Sequence, residues 1–288
     1  MEGEAKEAFA AIPGLAQRGK MAPFLLIISD NNTKLTGRID QESFSMQPTF
    51  ASLENLGWKV LRLEEGHSLE KCTRTLEDAL NLLNENPDQP IVIHAKTVKG
   101  KGIQKCEASS SGGHGFPLKK PEELLPFLQE IYGADPIPKE FVQWASELRT
   151  PAGSGSKSSV ISEKTQEGIS AAMIAAREQG LPVVSISADL PGSTGVAGFQ
   201  KKFPDATFDI GVAEANMVSV GAGFAKAGYI PVVDTFSQFG VTKGALPLTM
   251  ANLSQAPVIA VFSHVGFQDA ADGASHQSLT YLSMLSAI

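Results

Sequence analysis

Short unbroken apolar runs alternate with longer stretches of helical composition along nearly the whole of this chain. The runs at 24–28 and 90–95 are of the kind a strand shows when a parallel sheet is covered on both faces. Residues 58–63, 183–187, 230–235 and 257–262 read as further strands, and 208–211 as a short one. Helices are expected over 4–18, 68–85, 121–132, 163–179 and 214–227. The third of these opens on Pro121 and two glutamates, a favourable helix start. Strands alternating with helices imply a parallel sheet wrapped by helices, and here the rhythm runs twice. Between the two runs, residues 150–159 are rich in Gly, Ser and Pro and read as a flexible linker. The expectation is therefore α/β, with one unit over 1–149 and a second over 160–288.

Composition narrows the classes of function. The 288 residues suit two domains of ordinary size, and the 42% of hydrophobic residues is enough for buried cores. The net charge is -7 and the basic residues are scattered, which argues against a nucleic-acid or anionic-membrane partner. Cys72 and Cys106 form no metal or disulfide pattern. With no apolar run of membrane-spanning length and no signal-like N-terminus, a cytoplasmic location is expected.

Four segments offer chemistry, each with a plainer alternative. Asp30-Asn31-Asn32 at a strand end presents hard oxygen ligands for Mg²⁺ or Ca²⁺, or is simply a turn. Glu214 stands at the start of a helix of small residues, as the sole acid between Asp209 and Asp234. It serves the helix dipole there, or, if buried, is a proton-sharing group with a raised pKa. Phe236 and Phe239 follow a strand, where aromatics usually belong to the core. Ser263-His264-Val265-Gly266 and Asp272-Gly273-Ala274-Ser275-His276-Gln277 place two histidines and an aspartate in a Gly-rich loop, a setting more typical of function than of packing.

Taken in order, these segments resemble the transketolase family over nearly the whole chain. Glu2-Gly3 and Asp30-Asn31 with Gly37 match the two ends of that family's diphosphate- and metal-binding stretch, while its preceding Gly-Asp-Gly is absent. Thr97-Val98-Lys99-Gly100-Lys101-Gly102 and His114-Gly115-Phe116-Pro117-Leu118 are similar to its Lys-Gly-rich turn and His-Gly-x-Pro-Leu segment. Ser187-Ala188-Asp189-Leu190, Gly211-Val212-Ala213-Glu214, Thr235-Phe236-Ser237-Gln238-Phe239 and the two histidine segments resemble the motifs that follow. The resemblance identifies 1–149 as the remainder of a diphosphate-binding domain. It identifies 160–288 as a pyrimidine-binding domain, both short of the family's full pattern.

The resemblance implies transfer of a two-carbon ketol unit between sugar phosphates through a thiamine diphosphate ylid. In that family's terms Asn31 and the Thr33 carbonyl bind Mg²⁺. Phe236 and Phe239 stack on the pyrimidine, Glu214 bonds its ring nitrogen, and Asp189 joins them as a cofactor-binding residue. His114, His264 and His276 line the substrate channel, Asp272 meets a donor hydroxyl and Ser193 a phosphate. Residues 159–170 contain no arginine where the family often has one, so Lys164 would stand in as a point charge. A homodimer or a complementary subunit is implied as partner. A related thiamine enzyme, such as a 1-deoxy-xylulose-5-phosphate synthase or an E1 component, is the alternative, and a non-catalytic chain that pairs with a partner is the third.

Overall fold

The computed structural model describes residues 4–114, 118, 120–148, 165–267, 272–286 and 288. The expected linker, Lys164, Glu2-Gly3 and 115–117 of the His-Gly segment lie outside them. The chain divides into two compact units, one of Ile12–Asp40 with Ser45–Ser162, the other of Met1–Ala11, Gln41–Phe44 and Glu163–Ile288.

The elements up to residue 148 are α1 (Glu4–Ala16), β1 (Leu25–Asp30), α2 (Ile39–Glu42), α3 (Gln47–Asn55), β2 (Lys59–Leu63), α4 (Leu69–Glu85), β3 (Ile91–Lys96), α5 (Gln104–Ala108), α6 (Leu124–Tyr132) and α7 (Lys139–Glu147). The three strands are all parallel, in the order β1-β3-β2. Side chains of β3 alternate between faces. Ile91, Ile93 and Ala95 pack with Leu63 and with Ala79 and Leu83 of α4. Val92 and His94 point the other way, and the His94 ring lies 4.4 Å from the ring of Phe50 on α3. The α4 helix forms because Ser68 caps it, accepting the Lys71 N–H, and because its apolar residues fall on one face.

The run at 24–28 departs from expectation. It does form β1, but as an edge strand with Ile27 60% exposed, while the doubly covered strand is β3. An apolar run specifies a strand; its place in the sheet is set by which partners flank it.

From residue 165 onward the elements are α8 (Thr165–Glu178), β4 (Val183–Ser187), α9 (Pro191–Thr194), α10 (Ala197–Lys202), β5 (Thr207–Asp209), α11 (Glu214–Lys226), β6 (Ile230–Phe236), α12 (Ser237–Lys243), α13 (Ala245–Leu253), β7 (Ile259–Ser263) and α14 (Tyr281–Leu285). Their sheet is again wholly parallel, ordered β5-β4-β6-β7. The core gathers Val183, Val184 and Ile186 of β4, Val232 and Val233 of β6, Met217 and Val218 of α11, Met173 of α8, and Phe199 of α10. Gly221 lets α11 lie close on the sheet, since a Cβ there would stand 2.6 Å from Val233 Cγ1. The expected loop at 188–193 is partly helical, because Pro191 starts the short α9 turn and Gly195, with a left-handed φ of 96°, ends it. Among the described residues no helix is long and apolar enough to cross a membrane.

Candidate functional site

In both units the chemistry collects at the C-terminal ends of the parallel strands, where open α/β sheets hold ligands. In the first unit β1 ends on Asp30, whose side chain is only 8% exposed. Its Oδ2 meets His94 Nε2 at 2.9 Å and the Lys96 ammonium, and Gln47 Nε2 donates to it at 3.4 Å. Burial alone would raise this carboxyl, but hydrogen bonds from Lys96 and His94 and their charge hold it below the usual carboxylate range.

Beyond Asp30 the chain makes a tight polar turn. Asn31 Oδ1 accepts the Thr33 N–H at 2.9 Å, the Thr33 hydroxyl donates to the Asn31 carbonyl, and Asn32 takes a left-handed φ of 52°. The Asn side chain thus performs the turn role considered from sequence; its oxygen retains a second lone pair. Arg38 donates to Thr33 Oγ1 at 2.9 Å and to the Ser109 carbonyl at 3.1 Å, tying this turn to the segment that leads to His114. His114 itself is exposed, its N–H bonded to the Ser111 carbonyl. A cavity of about 380 Å³ adjoins the turn, lined by Asp30, Asn31, Asn32, Asp40, Gln47 and Lys96 among others. Sequence reasoning singled out Asp30 as a metal-ligand or turn residue but missed His94, Lys96 and Arg38. A histidine inside the apolar run Ile91-Val92-Ile93-His94-Ala95 was the available signal.

The second unit brings four of its expected residues into contact. The Phe236 ring, 6% exposed, lies 4.1 Å from that of His264 at 34°, and 6.1 Å from that of His276. Phe239 meets His276 edge-on at 5.1 Å. One face of Phe236 is therefore already covered by His264, and Phe239 is the half-buried ring of the pair. Ser263 Oγ lies 2.8 Å from His264 Nδ1, and Ser275 Oγ 2.9 Å from His276 Nδ1, so each imidazole is oriented by the serine before it. His264 holds a left-handed φ of 58°, a strained conformation for a histidine at a strand end. A buried hydroxyl pair, Ser237 to Ser278 at 3.0 Å, joins the start of α12 to the loop bearing His276.

The remaining expected residues lie on neighbouring loops. Glu214 is the first residue of α11 and is buried, at 3% exposed. Asp189 follows β4 with a left-handed φ of 61° and is 1% exposed, whereas Ser193 in α9 is exposed. Asp272 is exposed in the loop before His276. Asp234, in the middle of the sheet, is a fully buried carboxyl that sequence reasoning passed over; an aspartate in the apolar run Val232-Val233-Asp234-Thr235-Phe236 was its signal. Among the described residues no group of three or more His, Cys, Asp or Glu side chains is placed to hold a metal ion.

Two α/β units, each built on a parallel sheet with polar or aromatic side chains gathered at its strand ends, place the chain in the class of open-sheet α/β proteins, which hold ligands at those ends. Comparison with known proteins identifies which kind. The model of the transketolase thiamine diphosphate binding domain matches residues 1–172, and that of the transketolase pyrimidine binding domain matches residues 162–288. The chain belongs to the transketolase family. It is 31% identical over 238 residues to a 1-deoxy-D-xylulose-5-phosphate synthase of Syntrophus aciditrophicus, covering 83% of this chain and 32% of the relative. It is 25% identical over 250 residues to the enzyme of that name from Actinobacillus pleuropneumoniae, covering 84% of this chain and 34% of the relative. The chain thus spans about a third of the length of the curated relatives it matches. Among solved structures, transketolase from Leishmania mexicana aligns with all of this chain and 48% of its own, at 20% identity and a TM-score of 0.40.

Proposed function

We propose that this chain forms the thiamine diphosphate-binding part of a transferase that moves a two-carbon ketol unit from a ketose phosphate to an aldose phosphate. The observation that best supports the reading is the aromatic and histidine cluster of Phe236, Phe239, His264 and His276 in the unit that also buries Glu214. A buried carboxylate and an aromatic ring suit a flat heteroaromatic group that carries a ring nitrogen. The residues present thus fit the pyrimidine half of the cofactor, with residues 160–288 as the pyrimidine-binding domain. Residues 1–149 would take the diphosphate. Toward Mg²⁺ (or Ca²⁺) the fit is partial. Asn31 Oδ1 and the Thr33 carbonyl would hold the ion with two neutral oxygens, and the resemblance calls for a third protein ligand, the aspartate of a Gly-Asp-Gly that this sequence does not contain.

When bound, thiamine diphosphate supplies the carbanion chemistry of carbon–carbon cleavage and formation. The chain's own residues would do the rest. Glu214 would hold a proton at the pyrimidine ring nitrogen, where its burial strengthens the hydrogen bond. Asp189 would sit against the cofactor from the end of β4. His264 and His276 would bond sugar hydroxyls and move protons, their rings already fixed by Phe236, Phe239 and the adjacent serines. His114 would do so from the diphosphate side. Asp272 would accept a donor hydroxyl and Ser193 would meet the phosphate, since both are exposed and hydrogen-bond competent. A second subunit, identical or complementary, belongs to the same reading.

The relatives named 1-deoxy-D-xylulose-5-phosphate synthase favour one alternative, a two-carbon unit drawn from pyruvate. A donor assay on the full protein that contains this chain separates the two. Conversion of xylulose 5-phosphate plus ribose 5-phosphate supports ketol transfer, and turnover of pyruvate without it replaces that reading with the synthase one.

A further inference from the structure

Asp234 lies at the centre of the second unit's sheet with no solvent exposure, and it serves none of the roles above. Its Oδ2 is 2.9 Å from Ser187 Oγ on β4 and 2.6 Å from Thr194 Oγ1 at the end of α9. Both hydroxyls reach one residue further, to Leu190. Leu190 N–H donates to Ser187 Oγ at 3.3 Å, and Thr194 Oγ1 lies 3.0 Å from the Leu190 carbonyl. The contacts therefore form a closed ring, from Leu190 N through Ser187, Asp234 and Thr194 back to Leu190 O. Four contacts need four protons. Leu190 N–H, the Ser187 hydroxyl and the Thr194 hydroxyl bring one each, and an ionised Asp234 brings none. With Asp234 ionised, the single Thr194 proton goes to the carboxylate, and the hydroxyl then turns a lone pair toward the Leu190 carbonyl oxygen 3.0 Å away, which already accepts the Ser193 and Thr194 N–H groups. The other carboxylate oxygen, Oδ1, is buried without a hydrogen-bond partner among the described residues, a costly place for half of a negative charge.

We propose that Asp234 is carried as the neutral acid, and that its proton closes this ring and latches the loop holding Asp189 and Ser193 onto the end of the sheet. Asp234 is thus a positioning residue. It acts through Thr194 and Ser187 on a loop whose backbone needs holding, since Asp189 stands at a left-handed φ of 61°.

The surroundings agree with the neutral form. Burial pushes the Asp234 carboxyl up to about 7, against the lowering effect of the Thr194 and Ser187 hydroxyls, and Asp209 adds to the rise. Of the elements packed around Asp234, β4, α9 and β7 hold no titratable side chain. β5 brings Asp209, α11 brings Glu214 and Lys226, and α12 brings Lys243. Asp189 follows β4. The folded value is raised above the ordinary one of 3.8, so protonation favours the closed loop. Stability of the latch is complete below that ordinary value. It is lost as pH rises toward about 7, and little more is lost beyond.

That the loop serves a cofactor and a phosphate rests on the function proposed above; the latch does not. The test is therefore made on the whole chain without cofactor, by hydrogen exchange of the Ser193 and Thr194 amides, both bonded to the Leu190 carbonyl. Protection, corrected for intrinsic exchange, should fall about tenfold between pH 6 and pH 8. In Asp234→Asn, which keeps a donor and an acceptor but cannot ionise, it should not change with pH. Thr194→Val, of nearly the same shape, should lower protection about tenfold at pH 6 and much less at pH 8, where the latch is already open, while leaving the α4 amides untouched. Infrared difference spectra at pH 6 should show a carboxylic-acid carbonyl band that Asp234→Asn removes. Equal pH dependence in the wild type and Asp234→Asn, or unchanged loop protection in Thr194→Val, overturns the proposal. A chain that fails to bind thiamine diphosphate but gives the expected exchange would remove the functional reading and leave the latch standing.

Discussion

Replacing Lys96 with Met isolates the electrostatics of the first unit's strand ends. Asp30 and Lys96 face each other across the β1–β3 register, and Lys96 is one of the three side chains that satisfy the Asp30 carboxylate. The carboxylate is 8% exposed and the lysine side chain 40% exposed. Removing one partner of a fully buried ion pair costs ~3–5 kcal/mol, and losing a hydrogen bond to a charged group costs ~1.5–3 kcal/mol. Because the ammonium end is partly solvated, the lower figure applies, and the unit should lose about 2 kcal/mol. Both tryptophans lie in this unit, and Trp58 is 2% exposed, so urea unfolding followed by tryptophan emission reads this unit directly. With a urea slope of about 1–3 kcal/mol/M, the midpoint should fall by about 1 M at pH 7. The sign with pH follows from the lowered Asp30 carboxyl. The stability it contributes is present above 3.8 and is lost as pH falls through its lower folded value. The deficit of Lys96→Met should therefore be full at neutral pH and shrink in the acid range, where Asp30 is protonated with or without the lysine. An unchanged midpoint at pH 7, or a deficit that persists undiminished in acid, would refute the reasoning.

Two further substitutions probe the second unit. Phe199 is fully buried between α10 and the sheet, so Phe199→Ala should cost about 3–5 kcal/mol in thermal unfolding followed by circular dichroism. A cost near that of a surface change would mean the core is not where it is described. At Gly195, with φ 96°, an added Cβ would stand 2.2 Å from the Gln166 carbonyl oxygen. Gly195→Ala should therefore destabilise by ~1–3 kcal/mol or more and raise exchange at Ser193 and Thr194, whereas Gly192→Ala, with open space around it, should do neither.

The elements that could be read from the sequence are those whose burial is most complete. β3, β4 and β6 are strands buried along nearly their whole length, and they appear as apolar runs. The helix α4 announces itself by a capping serine and an apolar face, and α11 by a stretch of small residues that opens on Glu214. Short helices escaped. Residues of α12 and α13 are interrupted by Gly240, Gly244 and Pro247, which read as breakers. Gly240 is in fact a packing residue, since a Cβ there would meet the Phe262 ring at 2.6 Å. In α3 only Phe50 and Leu53 are buried, too few for a periodic signal among Pro48, Thr49 and Ser52. The short α5 hides between Gly100 and Gly112, glycines that read as turn positions and not as the frame of a helix.

For the candidate site, local chemistry alone left turn, cap and core as rivals of function, and only the ordered resemblance favoured function. Geometry then added what no motif carried. Asp30, His94 and Lys96 converge only because β1 and β3 are neighbours, and Ser187, Thr194 and Asp234 only because β4 and β6 are. Such partners lie 64 and 66 residues apart in one case and 40 and 47 in the other, beyond the reach of any local pattern.

The central claim is that this chain binds thiamine diphosphate through Glu214 and the Asn31 turn. Calorimetric titration of the chain with thiamine diphosphate and Mg²⁺ tests it most directly. The account predicts saturable binding that Glu214→Ala and Asn31→Ala each abolish or weaken severely, with the folded state of both variants checked by circular dichroism. Binding that survives both substitutions, or no binding by a folded wild-type chain, would contradict it.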